Sequence, residues 1–182
     1  MEENHDESIL QLNMIKVAVI GPESTGKTTL TKELAKQYNT VWVPEYARDY
    51  LNQLDRPYVQ SDLLEIAKGQ IESQKKMRKQ ARELLFCDTD LHVIKVWSEH
   101  KYGVCDPWVL NQLQLQYYDL YIITDFDIPY EEDPLREHPE MRSYFFDIYR
   151  NLMKDNDKAF IIAQGDLKAR IEQAKKAIGA LL

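Results

Sequence analysis

The twenty residues from Ile15 to Leu34, IKVAVIGPESTGKTTLTKEL, constrain this chain more than any others. Val17 to Ile20 is an unbroken apolar run, as a parallel strand buried on both faces requires, and the residues after Lys27 have helical preference and spacing. Between them stands Gly21-x-x-x-x-Gly26-Lys27-Thr28, the P-loop signature. Its glycines let successive backbone N–H groups turn inward around phosphate oxygens, its lysine carries a mobile positive charge, and the Thr28 hydroxyl suits Mg²⁺. The helix that follows aims its positive N-terminal end at the same phosphates. A nucleoside triphosphate is therefore expected on Gly21, Glu23, Ser24, Thr25, Gly26, Lys27, Thr28 and Thr29.

The rest of the chain repeats the alternation of apolar strand and amphipathic helix. A helix over Lys27–Gln37 is followed by a short strand, Val41-Trp42-Val43, closed by Pro44, with Glu45 at its C-terminal end. Tyr46 to Leu54 has helical spacing and stops at the Asp55-Arg56-Pro57 turn. A long helix follows with Ser61 as its expected N-cap, its later basic run (Lys75, Lys76, Arg78, Lys79, Arg82) reading as a solvated face that complements the helix dipole. Leu84 to Cys87 is a third strand, delivering Asp88-Thr89-Asp90, and helices are expected over 92–102 and 108–116. Leu120 to Ile123 is the fourth strand, ending in Thr124-Asp125. Residues 126–139 break all periodicity with three prolines and many charges, which makes them a natural lid. A helix over 140–154, a strand at Phe160 to Ile162 and a final helix capped by Asp166 complete the order. The fold class expected is α/β: a P-loop kinase-type three-layer fold with a five-stranded parallel sheet, helices on both faces and a short lid. Ligands bind such sheets at the C-terminal strand ends, where the carboxylates fall.

At 182 residues the chain has room for one α/β domain of usual size, expected over 14–182 after a polar tail at 1–13. A formal charge of −7 argues against sequence-independent binding to nucleic acid or to an anionic membrane surface. The acidic N-terminus lacks the basic region and apolar stretch of a secretory signal, and no segment approaches a membrane span, so a cytoplasmic location is expected. Two cysteines, Cys87 and Cys105, form neither a disulfide framework nor a zinc pattern. Homo-oligomerisation is left open.

The strand ends separate the kinds of P-loop protein. A GTPase carries Asp-x-x-Gly and Asn-Lys-x-Asp, and neither string occurs here. A mechanical ATPase places Asp-Glu after its third apolar strand, where this chain has Asp88-Thr89. A small-molecule kinase fits better, since it needs one carboxylate near Mg²⁺, one near the acceptor hydroxyl and arginines over the migrating phosphoryl group. Asp88 is the expected Mg²⁺ carboxylate together with Thr28, and Glu45 the expected base, with Asp90 a candidate for either role. Arg136 and Arg142 are the expected lid arginines. Tyr46 and Arg48 follow Glu45 on the acceptor side, and Trp97 and Tyr130 are the rings available for stacking. A nucleotide-responsive ATPase module without a small acceptor is the alternative, and it has no use for an acceptor-side base.

GPESTGKTTL, PEYARDY, FCDTDLHVIKVW with the following YG, and YDLYIITDFDIPYEEDPLR together resemble the kinase domain of the bacterial NAD-biosynthetic regulators, which is similar to a nicotinamide riboside kinase. The resemblance covers residues 14–182. It implies transfer of phosphate from ATP, with Mg²⁺, to the 5′-hydroxyl of a riboside, nicotinamide riboside first among them. In that family the kinase is often fused to an adenylyltransferase and a helix-turn-helix, for which this sequence has no room, so a stand-alone kinase is expected. At the lid the family pattern Pro-Trp-x-x-Asp-Gly-x-Arg becomes Pro129-Tyr130-Glu131-Glu132-Asp133-Pro134-Leu135-Arg136.

Overall fold

Five strands alternate with helices along the chain, as the apolar runs predict. The computed structural model describes residues 14–182, and the expected tail lies outside the described residues. The order is β1 (Ile15–Ile20), α1 (Lys27–Gln37), β2 (Trp42–Val43), α2 (Tyr46–Asn52), α3 (Gln60–Arg78), β3 (Leu84–Asp88), α4 (Leu91–Tyr102), α5 (Pro107–Leu115), β4 (Leu120–Thr124), α6 (Arg142–Asp155), β5 (Phe160–Ala163) and α7 (Leu167–Gly179). All pairings are parallel, in the order β2-β3-β1-β4-β5. The P-loop strand is thus central, and its register (Val19 opposite Asp88 and Ile122) brings the loop, Asp88 and Thr124 to one edge of the sheet.

Alternation along β1 divides the core. Val17 and Val19 face α1 and α7, packing with Leu30, Leu34, Ile171 and Ile178, whereas Ala18 and Ile20 face α6, packing with Phe145, Phe146, Tyr149 and Met153. Val17, Val19 and Ile20 are fully buried, each contributing about 1.5–3 kcal/mol relative to exposure. A third cluster, including Ala47, Ile66, Leu91, Ile94 and Val109, joins α2 through α5 beside the β2 edge and so fixes these helices to one another.

The ends of the elements show where side chains override propensity. The long helix starts at Gln60, and Ser61 lies inside it rather than capping it. Asp62 is the reason: its carboxylate accepts from the Val59 N–H at 2.7 Å, from both Arg56 terminal nitrogens and from the Tyr50 hydroxyl. The expected helix at 140–154 begins as a 3₁₀ turn, Pro139–Met141, and becomes α-helical at Arg142. Asp166 caps α7 as expected, accepting from the Ala169 N–H.

Candidate functional site

The loop between β1 and α1 encloses a phosphate-sized bay. Gly21 has φ 145°, and a Cβ there would stand 2.5 Å from Thr124 Oγ1, so only glycine lets the loop leave the sheet against β4. Thr25 is fully buried and pairs with Thr124 through their hydroxyls at 2.6 Å, which locks the loop to β4. Its side chain is therefore structural, leaving its backbone to face phosphate. Lys27 Nζ rests on the Pro22 carbonyl at 2.8 Å, a weak hold that a phosphate group outcompetes.

A cavity of about 340 Å³ extends from this loop across the strand ends. The P-loop residues 21–29 form its floor, Glu45, Arg48, Val93, Trp97, Phe145 and Tyr149 form a side wall, and Ile128, Pro129, Glu131, Leu135, Arg136 and His138 from the 126–139 loop form its roof. Glu45 occupies the N-cap position of α2 but makes no capping hydrogen bond, so its carboxylate is not committed to the helix. Trp97 is braced from behind by Tyr58, ring centroids 5.1 Å apart.

Asp88 ends β3 beside the P-loop. Thr28 Oγ1 donates to its Oδ2 at 2.5 Å, and its Oδ1 is buried without a partner. Burial, then the nearby Glu45 charge, pushes its pKa up to about 6, against the Thr28 hydrogen bond and the charges of Lys27 and Arg48. A hydroxyl and an underused carboxylate beside a phosphate bay fit Mg²⁺, whose remaining ligands come from phosphate and water. No cluster of three or more His, Cys, Asp or Glu with metal-holding geometry occurs among the described residues.

Several of the expected site residues have their side chains engaged elsewhere in the structure. Asp90 is 1% exposed and absent from the cavity wall: its Oδ1 accepts from the His92 N–H, capping α4, and its Oδ2 meets His92 Nδ1 at 2.5 Å and the Tyr121 hydroxyl at 3.3 Å. Tyr46 lies outside the wall too, its ring pressed on Gly69, where a Cβ would come within 2.0 Å of it. Arg142 donates to the Ile128 carbonyl at 2.9 Å and weakly to that of Ser24, so it holds the lid's base rather than reaching the cavity. Tyr130 lies off the wall with Arg136 and Arg142 over its ring, 5.9 and 5.6 Å from the centroid, and so supports the arginines instead of stacking on a ligand. Glu23 and Ser24 turn their side chains to the lid: Glu137 and His138 N–H groups donate to the Glu23 carboxylate, and the Glu131 N–H donates to Ser24 Oγ.

Three further site features escape sequence reading. His138 lines the roof, packed on His100 and Phe145. Tyr149 and Phe145, four residues apart on α6, present aromatic faces to the wall. Arg170 is 2% exposed at the cavity rim and donates to the carbonyls of Thr25, Asp125 and Gly165 and to the Asp127 carboxylate, tying α7 to the P-loop. A signal for it exists in the sequence: Arg170, Ile171, Ala174 and Ile178 share one buried helical stripe, an unusual place for an arginine.

A central P-loop strand in a 2-3-1-4-5 parallel sheet, with a lid over the cavity beside it, defines a nucleotide-binding protein with the fold of P-loop kinases. The chain belongs to the AAA domain family, which matches residues 16–170. It is 29% identical over 176 residues to the trifunctional NAD biosynthesis/regulator protein NadR of Salmonella typhimurium, a match covering 90% of this chain and 42% of that protein. The NadR of Escherichia coli is 29% identical over 153 residues, 80% of this chain and 37% of that protein. The chain thus spans less than half the length of these curated relatives. Among solved structures, a NadR protein in complex with NR aligns over 96% of this chain and 53% of its own, with TM-score 0.77 and 24% identity. Thymidylate kinase from Ehrlichia chaffeensis (TM-score 0.65, 17% identity) and deoxyadenosine kinase from M. mycoides (TM-score 0.63, 16% identity) each cover 91% of this chain, and it spans nearly all of theirs. Among the described residues no helix is long and apolar enough to cross a membrane.

Proposed function

We propose that this protein transfers the γ-phosphoryl group of ATP to the 5′-hydroxyl of a riboside, nicotinamide riboside being the acceptor its wall fits best. The observation that carries the reading is Glu45, a carboxylate that lines the cavity and is uncommitted to its own helix. There it would take the hydroxyl proton as the acceptor oxygen bonds to phosphorus and the bond to the ADP oxygen breaks. Lys27 and the P-loop N–H groups would hold the phosphates, Arg136 would neutralise charge on the moving group, and the lid would exclude water. Thr28 and Asp88 would hold Mg²⁺, which when bound neutralises phosphate charge.

The choice of acceptor rests on the wall's composition. Trp97, Phe145 and Tyr149 supply π faces and Glu45 a negative charge, and among the described residues no Asn or Gln lines the cavity to read the hydrogen-bonding edge of a purine or pyrimidine. Asp90 is taken up as a helix cap and Asp88 is bound to Thr28 beside the P-loop, so attraction for a cationic pyridinium falls to Glu45 and the rings. The NadR solved with NR supports the same acceptor. The test compares kcat/KM for nicotinamide riboside, nicotinic acid riboside, uridine and adenosine with Mg-ATP. Preference for nicotinamide riboside is expected. Preference for an uncharged nucleoside overturns the acceptor but keeps the kinase, and ATP hydrolysis with no acceptor phosphorylated overturns both.

A further inference from the structure

The variable positions of the P-loop, between its two glycines, grip the lid. Two stretches of the lid flank Arg136, and each is fastened to one of these residues. On the near side the Glu131 N–H donates to Ser24 Oγ at 2.7 Å. On the far side the consecutive N–H groups of Glu137 and His138 donate to the Glu23 carboxylate at 3.1 and 3.2 Å. Arg136 itself reaches back, its Nη1 donating to Ser24 Oγ at 3.2 Å and to the Glu131 carbonyl. The loop backbone is shaped for this role. Ser24 has φ 54°, a left-handed conformation that serine adopts at a cost.

We infer that Glu23 and Ser24 are positioning residues that fasten the lid to the phosphate-binding loop and so set Arg136 over the transferring phosphoryl group. Glu23 suits this better than nucleotide binding, because a carboxylate aimed at phosphate is repelled, whereas one turned outward satisfies two backbone donors. The lid has further ties on its other side. Arg48 pairs with Asp133 at 2.8 Å across a partly exposed gap, and Tyr58 and Lys101 meet the Glu137 side chain at 2.8 and 3.3 Å. Those three anchor the lid to α2, the loop before α3, and α4, while the side chains of Glu23 and Ser24 tie it to the loop that carries the phosphates. A nucleotide that orders the loop therefore orders the roof in the same step, and a displacement of Arg136 by as little as ~1 Å is enough to cost about 10²-fold in transfer.

Glu23→Ala and Glu23→Gln separate this role from a structural one, because the glutamine oxygen still accepts both N–H groups and the alanine cannot. Hydrogen exchange at the Glu137 and His138 amides is the first readout and requires no acceptor. It rises at least about tenfold in Glu23→Ala and stays near wild type in Glu23→Gln. The second readout rests on the kinase reading: Glu23→Ala lowers kcat at least about tenfold with Kd for Mg-ATP within about threefold, and diverts turnover toward water, while Glu23→Gln restores kcat. Unchanged exchange in Glu23→Ala overturns the inference, as does ATP affinity lost in step with kcat or a Glu23→Gln variant no better than alanine. If Glu23→Ala does not fold, Ser24→Ala takes the same test with the Glu131 amide as probe. If no riboside is a substrate for wild type, the proposed function fails while the exchange readout still decides the anchor.

Discussion

Thr28 Oγ1 donates to Asp88 Oδ2 at 2.5 Å, and this one hydrogen bond leaves Asp88 Oδ1 buried with no partner. A carboxylate in that state favours its proton, and burial accordingly lifts its pKa to about 6. A divalent cation needs the ionised form, so binding Mg-ATP must release the proton whenever the pH is below that value. Affinity for Mg-ATP is expected to be flat above about pH 7 and to fall ~tenfold per unit below about pH 6. Asp88→Asn weakens binding at high pH and removes the slope. Calorimetric titrations at several pH values check this, and a wild-type affinity independent of pH from about 5 to 7.5 counts against the Mg²⁺ role of Asp88.

The same carboxylate sets a stability change of known sign. Its folded pKa, about 6, exceeds the ordinary 3.8, so between these values the folded chain keeps a proton that the unfolded chain has released. Stability from this group is fully present below about pH 4 and is lost as the pH rises through 6. Ligand-free Asp88→Asn should therefore melt higher than wild type at about pH 7.5, by roughly 4 °C or more, and no higher at about pH 4. Equal melting temperatures at both pH values would mean that Asp88 is not desolvated in solution.

Lys27 Nζ hydrogen-bonds the Pro22 carbonyl at 2.8 Å, and the lysine belongs to none of the core clusters. Lys27→Ala should abolish phosphoryl transfer and leave the melting temperature within about 2 °C, since nothing buried is removed. A variant retaining more than about a tenth of wild-type turnover at saturating Mg-ATP would remove the lysine from the mechanism.

Asp62 lies far from the chemistry, yet it holds the hinge between α2 and α3. It is 3% exposed and accepts from Arg56, Val59 and Tyr50, and the Arg56 guanidinium beside it holds its carboxyl well below the usual range. Asp62→Ala is expected to cost about 2–4 kcal/mol, measured by urea denaturation near pH 7. Because the folded pKa is depressed, this contribution exists above about pH 4 and fades as the pH falls, so the two proteins should converge in acid. A loss below about 1 kcal/mol would show the hinge to be held by packing alone.

What the sequence reveals and what it hides follow from one difference: periodicity reports which end of a strand a residue occupies, and not where its side chain goes once the chain leaves the sheet. The P-loop, the five strands and the strand-end positions of Glu45 and Asp88 are legible because the motif and the apolar runs fix backbone position. Asp90 departs from expectation because Thr89 adopts φ 69°, which breaks the alternation of the strand and turns Asp90 under the sheet as a helix cap. Ser61 has the better capping chemistry by sequence, but the side chain of Asp62, three residues after Val59, takes the donor. The lid is recognisable as a break in periodicity, but its internal wiring is not, since Tyr130, Arg136 and Arg142 are ordered by one another and by loop carbonyls. The lid's ties to the P-loop are hidden for a second reason, since they join residues more than a hundred positions apart, as Glu23 and His138 do.

With Asp90 capping a helix and Asp88 bound to Thr28, the division of labour among the carboxylates becomes testable at Glu45. It is an acidic group on the cavity wall, it caps nothing, and Arg48, one helical turn on, is held by lid Asp133 rather than by Glu45 itself. Glu45→Gln keeps the volume and removes the basicity, so kcat for acceptor phosphorylation should fall by ~10²-fold or more while Kd for Mg-ATP stays within about threefold. Asp88→Asn should do the reverse, weakening Mg-ATP binding along with rate. The pH profile separates the two further, because removing a base flattens the acidic limb of kcat whereas removing a metal carboxylate flattens that of binding. Parallel titrations of ATP and Mg²⁺ against both variants decide between the two assignments: if Glu45→Gln loses the metal and Asp88→Asn loses only rate, the base is Asp88 and the wall carboxylate serves the ion.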